Sequence, residues 1–437
     1  MTFSPGMQTG SVSHRIFTAA SQCLVGGVTA GARANSLFAT PFYAARAAGS
    51  RITDVDGNEY LDLHTSFGAA LLGHGHPRIV AAIQDALAAG ILCAMETETA
   101  SIAAGKLVKI IPCAEKVRFT GTGTETTYAV IKLARAFTKR DVVIKFEGHF
   151  HGFNDYLQYN FWPPRGQGLP ALYVESQGAP ADIEKNIVVL PFNDTGALEK
   201  TLRARHAEIA AVIMEPVNFN SGGIRPRPDF LAAVRALTKQ HGIVLIFDEI
   251  LSGFRTGPGC MQAHLGVTPD LCTLGKALAA GMPLSAFAGR AEIMDHLSPL
   301  GKVSHSGTYL AHPTAIHACN AFLDEIARPD FWPDLLQRTD RLCAGLRQII
   351  AQRGVKCWLS QTGARFCFLF GADREPTNYR EMVDSRDSAR TGKFFQSAMA
   401  AGVFTWAGYH HGISAAHTDA DVDEILNRLD TCLKEIA

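Results

Sequence analysis

From about residue 100 onward the chain alternates short β-rich runs with longer amphipathic stretches. A chain written this way has few options, because each run followed by a helical crossover returns a strand parallel to the last. The outcome is an α/β fold around a mostly parallel central sheet. Val117–Thr120, Val142–Phe146, Ala210–Met214, Ile243–Phe247 and Leu271–Leu274 read as strands. Between them, 125–138 carries Val130, Leu133, Ala134 and Phe137 at helical spacing, and 229–240 is a second helix candidate. Nearer the C-terminus come helices over 314–328 and 333–353, strands over Phe366–Phe370 and Gly402–Thr405, and a last helix over 419–435. That order suits a smaller α+β unit. The N-terminal stretch, with its hairpin-like turn Asp54-Val-Asp-Gly-Asn58, is too short for a core of its own and is expected to pack with that unit. The expected division of the 437 residues is therefore an N-terminal segment 1–65, a large domain 66–312 and a small domain 313–437.

Composition excludes several functions. Lys plus Arg number 41 against 41 Asp plus Glu, and 47% of residues are hydrophobic, so the charge excess of a polyanion binder is absent and nucleic acid is not an expected partner. The ten cysteines are scattered, with no C-x-x-C pair, as reduced thiols of a cytoplasmic enzyme would be. No apolar run approaches the roughly 18 residues of a membrane span. The first acidic residue is Asp54, preceded by Arg15, Arg33, Arg46 and Arg51, a bias shared with organelle transit peptides, and Ala32-Arg33-Ala34 imitates a cleavage site. Against export, Ser21, Gln22 and two glycines interrupt the apolar stretch from Ile16 to Val28.

Three of the strand candidates deliver polar residues at their carboxyl ends, where ligands bind in open α/β sheets. Ile243–Phe247 leads to Asp248 and Glu249, Ala210–Met214 to Glu215, and Leu271–Leu274 to Gly275 and Lys276. Any one of these would pass for a solvated strand end; together they suggest a site. After Val117–Thr120, the stretch Gly121-Thr-Gly-Thr-Glu-Thr-Thr127 opens a helix, an arrangement that offers backbone N–H groups and a helix dipole to a phosphate. It lacks the third glycine of a dinucleotide fingerprint and the Gly-Lys-Ser/Thr of a P-loop. A lysine, a neighbouring carboxylate and a phosphate cradle are together what pyridoxal phosphate requires: an amine for the Schiff base, an acid to keep the pyridine nitrogen protonated, and a seat for the dianion.

The ordered segments Gly26-Gly-Val-Thr-Ala-Gly-Ala-Arg33, Gly73-His-Gly-His-Pro77, Thr122-Gly-Thr-Glu125, Gly148-His-Phe-His-Gly152, Glu215-Pro-Val217, Asp248-Glu-Ile-Leu-Ser-Gly-Phe-Arg255, Pro269–Lys276 and Ser306-Gly-Thr308 resemble class III, fold-type I pyridoxal-phosphate aminotransferases. Within these the chain resembles the glutamate-1-semialdehyde aminomutase-like branch, and its Gly123–Thr127 form is similar to D-phenylglycine aminotransferase of that branch. The resemblance implies a pyridoxal-phosphate enzyme with Lys276 as Schiff-base lysine and proton shuttle and Asp248 as pyridinium partner. Ile250 and Phe150 would pack on the two ring faces, Thr122, Gly123 and Thr124 would hold the phosphate, and Asn220 would stand near the ring hydroxyl. Gly307 and Thr308 match a segment that reaches the neighbouring subunit's phosphate, which implies a homodimer with composite sites. Arg33 matches the arginine that binds a substrate carboxylate.

Departures from the aminomutase pattern shape the expected reaction. Aligning Gly408–Thr418 with the aminomutase puts His410 where that enzyme has a glutamate, and Phe67 replaces a tryptophan near the substrate. Both changes favour an intermolecular, ping-pong aminotransferase working between an apolar or aromatic amino acid and an oxo acid. A mutase or racemase on the same fold, or a non-catalytic binding module, is the alternative. Tyr156, Tyr159, Phe161 and Trp162 either wall the substrate pocket or pack a long loop. The pairs His74/His76, His149/His151 and His410/His411 lack a third ligand at metal-site spacing, so no metal is expected.

Overall fold

The computed structural model describes residues 10–405 and 410–437. Residues 1–9 of the N-terminal segment, and Gly408 and Tyr409 of the stretch aligned with the aminomutase, lie outside the described residues. In chain order the strands are β1 (Ala44–Ala48), β2 (Arg51–Asp54), β3 (Glu59–Asp62), β4 (Lys116–Thr120), β5 (Val142–Phe146), β6 (Ile187–Leu190), β7 (Ile209–Met214), β8 (Val244–Glu249), β9 (Leu271–Leu274), β10 (Ser285–Gly289), β11 (Cys357–Thr362), β12 (Arg365–Phe370), β13 (Val403–Phe404) and β14 (His410–Gly412). They belong to two units. One comprises residues 10–76, 333–373, 386–405 and 410–437, the other residues 77–332 and 374–385. No helix among the described residues is long and apolar enough to cross a membrane.

The first unit holds a four-stranded sheet in the order β1-β2-β3-β13 and a three-stranded sheet in the order β11-β12-β14. Its hairpin turn is organised by one carboxylate. Asp54 Oδ1 accepts from the N–H groups of Asp56 (3.0 Å) and Asn58 (2.8 Å), and Oδ2 accepts from the Tyr60 hydroxyl (3.0 Å). This is an Asx turn of the kind that Asp favours, with Gly57 at φ 89° closing it. The last helix, Asp419–Lys434, starts at a reciprocal capping box between Thr418 and Asp421.

The second unit is built on a seven-stranded sheet in the order β4-β10-β9-β8-β7-β5-β6. All neighbours pair in parallel except at β10, which runs antiparallel to both β4 and β9. Strands β5, β7, β8, β9 and β10 are buried along their whole length, as expected of a sheet covered on both faces. The helix Gly123–Thr138 covers one face through Val130, Leu133 and Ala134, which join Ile213 and Ile246 in the core. The helix Pro228–His241 opens with proline in its first turn and ends at Gly242 in the left-handed conformation.

Three features of this sheet differ from the sequence expectation. β8 runs on to Glu249 rather than stopping at Phe247, because Asp248 and Glu249 pair with Thr273 and Leu274 of β9. β6, Ile-Val-Val-Leu, was legible from its β-branched run and was not among the candidates. β10, Ser-Ala-Phe-Ala-Gly, gives little β signal. Its small residues answer to packing: a Cβ on Gly289 would stand 2.4 Å from the Asp270 carbonyl oxygen. Truncating Ile246, fully buried at the sheet centre, to alanine should cost about 2–5 kcal/mol. That cost should lower the urea midpoint of the cofactor-free protein, whereas Val25→Ala, at a site 95% exposed, should stay within about 0.5 kcal/mol of wild type.

Candidate active site

The strand ends converge on one cavity of about 190 Å³. Thr122, Gly123, Thr124, Phe150, Asn220, Asp248, Ile250 and Lys276 all line it, as does Glu215 from the third strand end, together with Thr127, His151, Gly152 and Leu251, which were given no role from the sequence. Gly307 and Thr308 do not reach it; they line a separate hollow with Ala94, Arg118 and His305. A larger hollow of about 810 Å³ lies at the opposite, amino ends of β8 and β9. Its charges are largely satisfied by one another, with Asp270 held between Arg235 and Arg290 at 3.0 and 2.9 Å, so volume alone does not mark the chemistry.

The phosphate loop is a helix start closed by its own side chains. Thr122 is the N-cap and accepts from the Glu125 N–H at 3.2 Å, while Glu125 Oε2 reaches back to the Gly121 N–H at 2.8 Å. The N–H groups of Gly123 and Thr124 are left without an acceptor among the described residues, at the positive end of a 16-residue helix. The cradle admits no extra side chains. A Cβ on Gly152 would stand 2.4 Å from Thr124 Oγ1, and one on Gly123 would stand 3.3 Å from Ile250 Cγ2.

Asp248 is 4% exposed, and every contact it makes suits an anion. Its Oδ1 accepts from Thr273 Oγ1 (2.8 Å) and the Ile250 N–H (3.1 Å), and its Oδ2 faces His151 Nδ1 at 2.7 Å. Burial holds His151 below its ordinary pKa. A neutral imidazole beside an acceptor-only carboxylate must carry its proton on Nδ1, so His151 orients Asp248 by donating to it. His149 is also neutral, pushed well down by burial, and its Nδ1 accepts from the Glu215 N–H at 3.0 Å. Both imidazoles are therefore occupied in hydrogen bonds, and no three His, Cys, Asp or Glu side chains among the described residues gather as a metal would need.

Lys276 follows directly on β9 through Gly275 and takes a left-handed φ of 46°, a strained conformation for a non-glycine residue and one that clusters at functional sites. Gly275 is small because a Cβ there would meet Ser285 Oγ at 2.7 Å and Ile250 Cδ1 at 2.9 Å. Glu215 accepts from the Phe150 N–H and from Asn220 Nδ2, both at 2.9 Å. Burial first, then the neighbouring Asp248 charge, push its carboxyl up to about 8. Glu249 points away from this group and organises the turn beyond β8 by accepting from Gln262 Nε2 at 2.8 Å.

The aromatic residues divide. Tyr159 is buried in the core and Tyr156 lies under the Arg135 guanidinium at 4.0 Å, so both pack the loop. Trp162 stacks on Phe150 with centroids 5.5 Å apart and planes 7° from parallel, and Phe161 meets Phe150 edge-on. Arg33, Phe67 and His410 belong to the first unit. Arg33 is exposed, bonded to Thr29 Oγ1 and in no ion pair among the described residues. Phe67 closes a run of three left-handed residues, Thr65, Ser66 and Phe67, and meets His64 edge-on at 4.1 Å. His410 is buried, its carbonyl accepting from Arg365 Nη2 at 3.0 Å.

A strand-end lysine, a carboxylate held by Thr273, the Ile250 N–H and His151, and a helix start with unclaimed backbone N–H groups, all lining one cavity, fit pyridoxal phosphate. The family model for aminotransferase class-III matches residues 32–431. Among solved structures, the chain is similar to an omega-transaminase from Sphaerobacter thermophilus, with 32% identity over 98% of both chains and a TM-score of 0.92. It is also similar to a β-phenylalanine aminotransferase from Variovorax paradoxus, at 28% identity over 96% of this chain and 93% of that one, with a TM-score of 0.86. A glutamate-1-semialdehyde aminomutase from Pseudomonas aeruginosa PAO1, at 24% identity over 97% and 94% of the two chains and a TM-score of 0.89, shares the fold. The chain belongs to the class-III aminotransferases. It is a pyridoxal-phosphate-dependent transaminase of fold type I.

The raised Glu215 pKa has a consequence for stability. Between the ordinary Glu range and about pH 8 the folded chain holds a proton that the unfolded chain has released, so the wild type loses stability as pH rises through that window. Glu215→Gln has no such proton. The stability of the cofactor-free Gln variant relative to wild type should improve from about pH 5 to about pH 8, by at most about 1.4 kcal/mol per pH unit. Denaturation midpoints across that range check this; a constant difference would contradict it.

Proposed function

We propose that the enzyme moves an amino group between an amino acid with an apolar or aromatic side chain and an oxo acid in a ping-pong cycle. The observation that carries this reading is that Lys276, Asp248 and the 122–124 helix start line a single cavity. When bound, pyridoxal phosphate supplies an aldehyde that condenses with amines and a ring that accepts the electron pair released at the substrate carbon. Lys276 Nζ would take the proton from that carbon and deliver it to the cofactor carbon that had carried the aldehyde. Asp248, oriented by His151 and Thr273, keeps a proton on the ring nitrogen. Thr122, Gly123 and Thr124 hold the phosphate, Phe150 and Ile250 bracket the ring, and Asn220 stands by the ring hydroxyl. Arg33 pairs with the substrate carboxylate, with Phe67 and His410 as further substrate-facing residues.

The aromatic group around Phe150 supports an apolar or aromatic side chain, as does the likeness to an enzyme named for β-phenylalanine. A homodimer in which Gly307 and Thr308 complete the partner's phosphate site is supported by Ile91, Met95, Leu300 and Tyr309, all exposed by 68% or more and neighbours in sequence of residues lining the Gly307 hollow. The ten cysteines are unpaired, which supports a reducing compartment such as the cytoplasm.

A panel of amino donors with pyruvate and 2-oxoglutarate as acceptors tests the reaction. Transamination should exceed any isomerisation of glutamate-1-semialdehyde, and the reverse ranking would overturn the transferase reading. Arg33→Ala should lose about 2–4 kcal/mol of transition-state binding for amino acids and little for amines without a carboxylate. Equal losses on both classes would remove Arg33 from the site. Light scattering should show a dimer, and a fully active, cofactor-loaded monomer would refute the shared site.

A further inference from the structure

Lys145 is an unusual residue for a fully buried strand. It sits in β5 between Ile144 and Phe146 and is completely buried. A charge in such a place is costly unless it is compensated. Its ammonium is not spent on a carboxylate in direct contact. It donates instead to two backbone carbonyls, of Tyr159 at 2.6 Å and Leu157 at 3.1 Å. Both belong to the long connection after β5, which continues through Asn160 to Phe161 and Trp162.

A half-buried residue ties that connection from its other end through its carboxylate. Glu175 Oε1 accepts from the Trp162 N–H at 2.8 Å, while its Oε2 is buried without a hydrogen-bond partner. Of the acids around Lys145, Glu175 exerts the strongest attraction, more than Glu215 or Glu147. Glu147 is engaged elsewhere, by Arg380 Nε at 2.7 Å and Asn160 Nδ2 at 2.9 Å. Burial pushes the Glu175 carboxyl up to about 7 and the Lys145 ammonium down to about 8, so both ions bear a desolvation cost. What they hold is specific. Trp162 Nε1 donates to the Asn220 carbonyl at 3.2 Å, and its ring lies parallel on Phe150, a wall of the cofactor cavity.

We propose that Lys145 and Glu175 are positioning residues that lock the Phe161–Trp162 pair against Phe150, and thereby set the affinity of the site for the flat cofactor ring and for aromatic amino donors. The donor half rests on the substrate reading above; the cofactor half rests only on Phe150 as a wall of the cavity. The route runs from the buried ion to two carbonyls, then through two residues of chain to the indole, then to Phe150. Displacing reacting groups by an ångström can cost as much as a hundredfold, so a loosened wall should show as binding loss.

The experiment compares wild type with Lys145→Met, Glu175→Gln and the double variant, each as cofactor-loaded enzyme. Glu175→Gln is the gentler variant, since it keeps an acceptor for the Trp162 N–H, and it carries the test if Lys145→Met fails to fold. Each single variant should raise the Kd for pyridoxal phosphate and the KM for aromatic donors about tenfold while leaving kcat within about threefold. The component of indole emission that disappears in Trp162→Phe should shift in both. The double variant should be no worse than Lys145→Met, because the two residues act as one unit. Wild-type Kd and emission in folded Glu175→Gln would overturn the proposal, as would effects that multiply in the double variant. If the wild type shows no preference for aromatic donors, the substrate reading fails, while the cofactor Kd and the emission still decide this one.

Discussion

Parallel pairing of β8 with β9, with Asp248 opposite Thr273 and Glu249 opposite Leu274, is the constraint from which the site follows. Side chains alternate along a strand, so this register sends Asp248 to the cavity and Glu249 to the turn that Gln262 closes. It also lets Thr273 donate across the ladder to Asp248, and it brings Lys276 out two residues past the end of β9. A slip of one residue would exchange Asp248 and Glu249 and leave the wrong acid facing the ring. The register is secured because both strands are buried on both faces and because β10, with its small residues, closes against β9.

Around that ladder the molecule carries an unusual load of buried polar groups, and nearly all of them act on neighbours. His151 fixes Asp248, His149 accepts from the Glu215 N–H, Glu215 fixes the backbone of Phe150, and Asn220 is held between Glu215 and Trp162. Such networks are costly when partly satisfied and rigid when complete. Here they place the cavity walls from behind. Burial holds Glu215 and the two histidines toward their neutral forms, while Thr273, the Ile250 N–H and His151 converge on Asp248.

Much of this was legible in the sequence. Strand ends that bear acids and a lysine, and a Gly/Thr helix start, are local signals that marked Asp248, Lys276 and Thr122–Thr124, and the family resemblance added Phe150, Asn220 and Ile250; these eight line one cavity, and Gly307 and Thr308 do not. What escaped was set by tertiary packing. β10 is spelled in alanine and glycine because it must approach β9 closely, which no propensity reports. His151 lay in view in Gly148–Gly152, yet its partnership with Asp248 spans 97 residues and emerges only when β5 and β8 flank β7. Lys145 was hidden inside an apolar run, where a lysine reads as a surface residue. Of the aromatic loop residues, Tyr156 and Tyr159 pack the loop, while Phe161 and Trp162 meet Phe150.

The account stands on Lys276 as the amine that carries the cofactor. Its most direct test is borohydride reduction of the pyridoxal-phosphate-loaded enzyme, followed by peptide mass mapping. A single pyridoxyl group is expected on the peptide containing Lys276, and none on that peptide in Lys276→Ala. A pyridoxyl group on another lysine of the wild-type enzyme, or undiminished turnover by Lys276→Ala, would contradict it.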